Sequence, residues 1–300
     1  MTIEQASTKL SRPRFDEFSQ VSQVAVRAPD QAFASADRIA DQWQILNYEA
    51  SPDLATARVE FDGFCEILRE AGADIVELPG DDGLTLDSLY VRDSLITSPR
   101  GLIRAAMGKP ARSAEPHLNA EALCEAGHEI IGAIEAPGRV EGGDLAWLDR
   151  HTVVAGRGYR TNSEGLRQLG ALLGADVEIL GFDLPHYQGP GSVFHLMSVL
   201  SPVDRDLAVV YPPLAPVALL QGLAARAVRT VEVSHEEFKT MACNVLALGP
   251  RRCVMLDGNP QTRRALERAG AQVTEMAGDM LCRPGEGGPT CLTRPLARSG

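Results

Sequence analysis

The sequence predicts an α/β protein built as a fivefold pseudo-symmetric propeller, and three observations lead there. The first is an internal repeat. "LREAGADIVELP" begins at Leu68, "LCEAGHEIIGAIEAP" at Leu123, "LGALLGADVEILGF" at Leu169, "LAARAVRTVEVS" at Leu223 and "LERAGAQVTEM" at Leu266. Each reads as the end of an amphipathic helix, stopped by a small or glycine residue, followed by an alternating or apolar strand. The units recur at intervals of roughly 45–55 residues, a spacing that speaks for a ring of repeats. The second observation is negative: a doubly wound sheet would carry a GxGxxG turn after its first strand, and none occurs there. The third is size, since 300 residues with 44% hydrophobic content can bury a large core. Residues 1–22 are expected to be a flexible N-terminal segment and 23–300 a single propeller domain. Such a ring puts strands inside and helices outside, so polar residues at strand ends can converge on a central channel.

Composition narrows the function. No run of about eighteen apolar residues occurs, so no membrane span is expected, and the N-terminus lacks a basic-then-apolar signal sequence, which points to the cytoplasm. The six cysteines are scattered without CxxC pairs, so neither a disulfide framework nor a structural metal is indicated and reduced thiols are expected. A net charge of −11, 5% aromatics and no basic stripe argue against nucleic acid as a partner. Acidity is compatible with a cationic small molecule, although it also serves solubility.

Along the chain, "LTLDSLYVRDSLI" puts Asp87 and Asp93 on one face of an expected strand, with Leu89 and Val91 between them. Two carboxylates so placed repel unless they meet a cation or a proton, and an ion pair with Arg92 would satisfy Asp93 equally. In "PGRVEGGDLAWLDRHTVVAGRGYRTNSEG", Glu141 and Asp144 bracket two glycines, a turn or bulge that aims a carboxylate. "HTVVAG" reads as a strand, and Arg160 precedes a helix capped by Asn162 or Ser163, where its planar fork suits either an anion or a cap. "GSVFHLMSVLSP" carries His195 within an expected apolar strand, where a satisfied core histidine is the common outcome. "GGPTCLTRPL" sets Cys291 after a glycine pair that permits close backbone approach. A buried terminal thiol is the plainer alternative.

Together, "LDSLYVRD", "EGGD" with "GRGYRTN", "FHLMS", "MACNVLALG" and "GGPTCLTRPL" resemble, in content and order, the guanidino-modifying superfamily of arginine deiminases, amidinotransferases and dimethylarginine dimethylaminohydrolases. The resemblance runs from about residue 23 and implies the pentein fold, the fivefold α/β propeller already suggested by the repeats. It implies Cys291 as nucleophile, His195 as general acid/base and Glu141 as the carboxylate orienting it. Asp93 and Asp87 would grip the guanidinium, Arg112 and Arg160 would clamp the substrate α-carboxylate, and Asn244 would be a supporting polar group. Asp144 and Met197 join the expected substrate-binding set. A guanidinium carbon is a poor electrophile, so the implied chemistry fixes it among carboxylates and attacks it with a thiolate, giving a covalent thiouronium and then citrulline plus an amine. No metal or organic cofactor is implied, and the expected partner is a small guanidino substrate, with homodimerisation left open.

Two departures bear on the subfamily. Deiminases and amidinotransferases carry an aspartate two residues after the histidine, where this chain has Met197. Dimethylarginine enzymes usually have an acid where Arg92 stands, whereas Asp87 favours their side. The expectation is a hydrolase of methylated or otherwise N-substituted arginine, with Met197 packing on the substituent. An arginine deiminase or dihydrolase, an amidinotransferase, and a non-catalytic binder of arginine analogues are the alternatives.

Overall fold

Five three-stranded sheets carry the fold in the computed structural model, which describes residues 15–299. The strands are β1 (Gln20–Val26), β2 (Asp74–Glu77), β3 (Leu95–Ser98), β4 (Gly101–Arg104), β5 (Ile130–Ala133), β6 (Leu145–Asp149), β7 (Thr152–Arg157) and β8 (Glu178–Asp183). They continue with β9 (Leu200–Asp204), β10 (Leu207–Val210), β11 (Arg229–Glu232), β12 (Leu246–Gly249), β13 (Arg252–Leu256), β14 (Gln272–Met276) and β15 (Arg294–Ser299). In four blades an inner strand turns back on a middle one as an antiparallel hairpin: β3–β4, β6–β7, β9–β10 and β12–β13. The middle strand then crosses through a helix to a parallel outer strand, β5, β8, β11 or β14. The remaining blade has the order β15-β1-β2, so a strand from the end of the sequence pairs antiparallel with the first.

The five repeats correspond to these crossovers. Each covers the end of a blade helix (Leu54–Glu70, Glu115–Glu125, Ser163–Leu173, Val217–Ala225 or Pro260–Arg268) and the outer strand after it. The third illustrates why they fold this way. Asn162 caps the helix, its side chain accepting from Gly165 N at 2.8 Å, and Leu166, Leu169 and Leu173 form one buried stripe in the core cluster that contains Val153 and Ala155 of β7. Burying a leucine stabilises by about 1.5–3 kcal/mol, which outweighs the weak intrinsic stability of a short helix. Gly72 ends the first blade helix in the left-handed region at φ 89°, and Ala227 holds φ 56° in the equivalent place of the fourth.

The inner strands β15, β3, β6, β9 and β12 surround the axis, with β15 against β3, β6 against β9 and β9 against β12. Two expected strands are replaced by tight turns. Leu86–Leu89 is a 3-10 turn, so Asp87 and Asp93 do not share a strand face. His195 precedes the 3-10 turn Leu196–Ser198, its N–H donating to Ser198 Oγ at 3.1 Å. The expected boundary after residue 22 falls inside β1; Glu17 and Phe18 are already buried, and Phe15 meets Trp147 edge-on with centroids 4.8 Å apart. Residues 1–14 lie outside the described residues. Among the described residues, no helix is long and apolar enough to cross a membrane.

Candidate active site

The segments that enter the inner strands all arrive at one end of the ring. Asp93 stands just before β3, Glu141 to Asp144 before β6, His195 before β9, Asn244 before β12 and Cys291 before β15. The 3-10 turns Gly142–Asp144 and Leu196–Ser198 interrupt the chain just before the strands, leaving Glu141 and His195 at their N-cap positions. Asp87, Asp93, Arg112, Arg160, His195 and Cys291 thereby line one narrow cleft, joined by Tyr90, Lys109, Val193, Gly285 and Gly287.

Its centre is a buried carboxylate–imidazole pair. His195 Nε2 lies 2.7 Å from Glu141 Oε2 and 4.0 Å from Asp93 Oδ1. Glu141 also accepts from Gly108 N at 2.8 Å and from Arg160 Nη1 at 3.2 Å. Burial opposes its charge, but the His195 hydrogen bond and the Arg160 and Arg112 guanidinium groups hold Glu141 well below the usual carboxylate range. Burial likewise opposes protonation of His195, yet Asp93, Asp144 and Glu141 lift it to about 9. Asp144 sits beneath, accepting from Leu196 N at 3.0 Å, and burial pushes it up to about 6.

Cys291 is half-buried, with Asn244 Nδ2 donating to its Sγ at 3.1 Å and Asn244 Oδ1 accepting from Thr290 N at 3.0 Å. Burial, aided by the negative charge of Asp93, raises the thiol to about 11, so it is protonated at neutral pH. The glycine pair is required by crowding: a Cβ at Gly288 would stand 2.7 Å from the Asn244 side chain, and one at Gly287 would run into the Tyr90 ring. Gly143 does the same for the other half of the site, since its Cβ would lie 2.7 Å from Asp93 Oδ1 and 3.0 Å from His195 Cγ.

Two expected roles change. Met197 is 4% exposed and packs in the core cluster containing Ala146, Val154, Leu200, Val210 and Leu219. The 3-10 turn after His195 rotates residue 197 away from the cleft, so the expected contact with a substrate substituent is corrected. Arg112 lines the cleft but is already engaged: Nη1 donates to Asp93 Oδ2 at 2.5 Å, Nε and Nη2 to Glu115 at 2.8 Å each, and Nη2 to the Tyr90 carbonyl at 2.7 Å. It braces Asp93 instead of presenting an open fork. Arg160 keeps a looser arrangement, with only Glu141 at 3.2 Å and the Ser192 carbonyl at 3.4 Å. Nor does Arg92 pair with Asp93; it reaches back to Glu17 at 2.8 Å.

Sequence reasoning missed Lys109, whose Nζ lies 2.6 Å from Asp87 Oδ2 and donates to the Leu46 carbonyl at 2.9 Å. It also missed Tyr90 and Glu115. Ligand atoms of Asp93, Glu141 and His195 lie within 4.8 Å of one another, close enough to hold a metal ion. Arg112 and Arg160 already donate to the two carboxylates, so a dication there would face two fixed positive charges.

The chain is similar in sequence and fold to proteins of known activity. A family model described as N,N dimethylarginine dimethylhydrolase, eukaryotic, matches residues 28–298. The chain is 27% identical over 245 residues to N(G),N(G)-dimethylarginine dimethylaminohydrolase of Pseudomonas aeruginosa, covering 81% of this chain and 89% of that one. A solved structure of a mutant of the dimethylarginine dimethylaminohydrolase from Pseudomonas aeruginosa, complexed with citrulline, superposes with a TM-score of 0.74 at 23% identity, over 91% of this chain and 98% of that one. The N-terminal domain of ArgZ, a cyanobacterial arginine dihydrolase, gives a TM-score of 0.76 at 18% identity over 92% and 98%. These structures share the propeller fold with the present chain.

Proposed function

The chain belongs to the N,N-dimethylarginine dimethylhydrolase family, whose members hydrolyse C–N bonds of linear amidines, and from that premise we propose that it cleaves the guanidinium group of arginine or an N-substituted arginine to citrulline and an amine. The observation that carries this reading is the convergence of Cys291, the His195–Glu141 pair and Asp93 on one cleft. A guanidinium seated against Asp93 brings a positive charge beside the Cys291 sulfur, offsetting the two influences that keep the thiol protonated. The thiol releases its proton to solvent, since His195 already carries one, and the ionised sulfur attacks the guanidinium carbon. His195 donates its proton to the departing amine, leaving a thiouronium on Cys291. The now neutral His195 takes a proton from water, whose oxygen adds to the same carbon, and collapse to the ureido product expels the sulfur, which takes up the remaining hydroxyl proton.

The distal end of the substrate is read by groups at the mouth. Arg160 offers donors to an α-carboxylate. Lys109 and Asp87 form an ion pair that a zwitterionic amino acid can exchange for two, its ammonium on Asp87 and its carboxylate toward Lys109. The charge-assisted contacts involved are worth on the order of 1.5–3 kcal/mol, so agmatine, which lacks the carboxylate, is expected to react roughly ten- to a hundredfold less efficiently than arginine derivatives.

One experiment tests the proposal: ureido-product formation measured across arginine, its methylated forms and agmatine, with mass spectrometry of the quenched enzyme. A Cys291 adduct and citrulline with release of an amine support hydrolysis. Product only in the presence of an added amine acceptor identifies amidino transfer, and binding without product a non-catalytic binder. Either result overturns the reading.

A further inference from the structure

A second mouth opens along β15, from its first residue, Arg294, to Arg298, and reaches the far ends of β3 and β6. It is a cavity of about 410 Å³ lined by Glu17, Ser98, Arg150, Arg294 and Arg298, with Trp147 as an apolar wall. Ser98 ends β3 and Arg150 follows β6, whereas Asp93 and Glu141 stand before those strands. Its charge is out of balance. Arg92, Arg294 and Arg298 are 1%, 4% and 8% exposed, and the carboxylate they surround is Glu17, bonded to Arg92 at 2.8 Å. Asp16 is nearby but spends its oxygens on Phe18 N, Ser19 N and Ser19 Oγ.

Several guanidinium nitrogens around Glu17 are shut off from solvent and have no partner among the described residues: Nε of Arg294 and Nη2 of Arg298, which line the cavity, and Nε and Nη1 of Arg92 behind it. The remaining bonds of Arg294 and Arg298 go to carbonyl oxygens of Arg92, Ser19 and Ala247, which carry no formal charge. Burial, reinforced by the positive charge of Arg92, depresses Arg294 to about 9 and Arg298 to about 10. Buried charges are as a rule paired, and leaving one unpaired costs several kcal/mol. An arginine fork is matched by a planar or tetrahedral oxyanion, which accepts two parallel hydrogen bonds.

We propose that this second mouth is a binding site for a small oxyanion, a phosphate or a carboxylate, held by Arg294 and Arg298 with Arg150 at the entrance. The site is separate from the Cys291 cleft and the proposal does not depend on what that cleft turns over. Arg294 donates to the carbonyl of Arg92, the neighbour of Asp93, so the anion would sit one peptide away from the guanidinium-facing carboxylate.

The test is calorimetric titration of the full chain with inorganic phosphate and, separately, succinate, at constant ionic strength with chloride as reference. Saturable binding of one equivalent of either, absent with chloride, is expected, and which of the two binds tells phosphate from carboxylate. Arg298→Gln should weaken it at least tenfold and Arg160→Gln, in the other mouth, should leave it unchanged. If Arg298→Gln does not fold, Arg150→Gln, a half-buried residue at the entrance, should still weaken binding severalfold. No saturable binding of either anion, or loss on Arg160→Gln with Arg298→Gln and Arg150→Gln unaffected, overturns the proposal.

Discussion

Cys291 and His195 have their acidities in an order that makes pH a direct probe of the site. The imidazole titrates near 9 and the thiol near 11, so the pair that reacts, a thiolate beside an imidazolium, is a minor species of the free protein at neutral pH. Its population grows about tenfold per pH unit until His195 begins to lose its proton. Accordingly kcat/KM should climb with pH to about 9 and level there, and a profile flat from pH 6 to 9 would show the thiol already ionised without substrate. Cys291→Ser should lose at least about a hundredfold in turnover while melting as the parent does. Met197 makes the contrasting case. Its burial among Ala146, Val154 and Leu200 means that Met197→Asp puts a carboxylate into an apolar cluster. Thermal or denaturant unfolding should register a loss of at least about 3 kcal/mol. A folded variant with an altered preference between arginine and methylarginine would return residue 197 to the cleft.

At the level of elements, the helices and outer strands were legible in the sequence because the helices show their period, each helix ends in a small or left-handed residue, and the outer strand follows directly after it. Leu166, Leu169 and Leu173 form such a stripe, and Leu169→Ala should cost about 2–5 kcal/mol in denaturant unfolding. The inner strands were harder to read. β3 and β12 are four residues long and buried throughout, so they lack the alternation that betrays a half-exposed strand. The turns that feed them, Leu86–Leu89 and Leu196–Ser198, are apolar in composition and read as strand, which put Asp87 and Met197 in the wrong orientation. Cys291, His195, Glu141 and Asp93 could still be picked out because the segments carrying them are distinctive. Lys109 and Glu115 could not, since what gives them their place is a partner brought near by the turns. The glycine segment before β15 lends itself to a test at this scale. Gly288→Ala should push Asn244 off the sulfur, removing the hydrogen bond that favours the thiolate. We expect kcat/KM to fall at least tenfold at neutral pH and its plateau to drop by the same factor while still setting in where His195 loses its proton; an unchanged profile would mean that the Asn244 contact is incidental.

Across the whole molecule, the two mouths draw on the same inner strands, the Cys291 cleft pairing its arginines with carboxylates and the second mouth holding more guanidinium groups than carboxylates. Neither mouth is complete without β15, which supplies Arg294 and Arg298 and is led in by Cys291. Its partner β1 lies more than 250 residues earlier in the sequence, so this pairing has the greatest loop-closure entropy of any in the fold, whereas the four hairpins pair near neighbours. The order of events during refolding is thereby constrained: hairpins such as β6–β7 can form locally, and the ring can shut only afterwards. Pulsed hydrogen exchange should find the amides of β6 and β7 protected before those of Val24 and Arg294, with reactivity of Cys291 toward an arginine-like electrophile returning together with the latter. Simultaneous protection of all blades would contradict this order. A chain still lacking residues 294–299 would have four hairpin blades and no functioning thiol, so the reactive sulfur comes into being only once the ring is shut, and a partly folded intermediate is kept from turning over substrate.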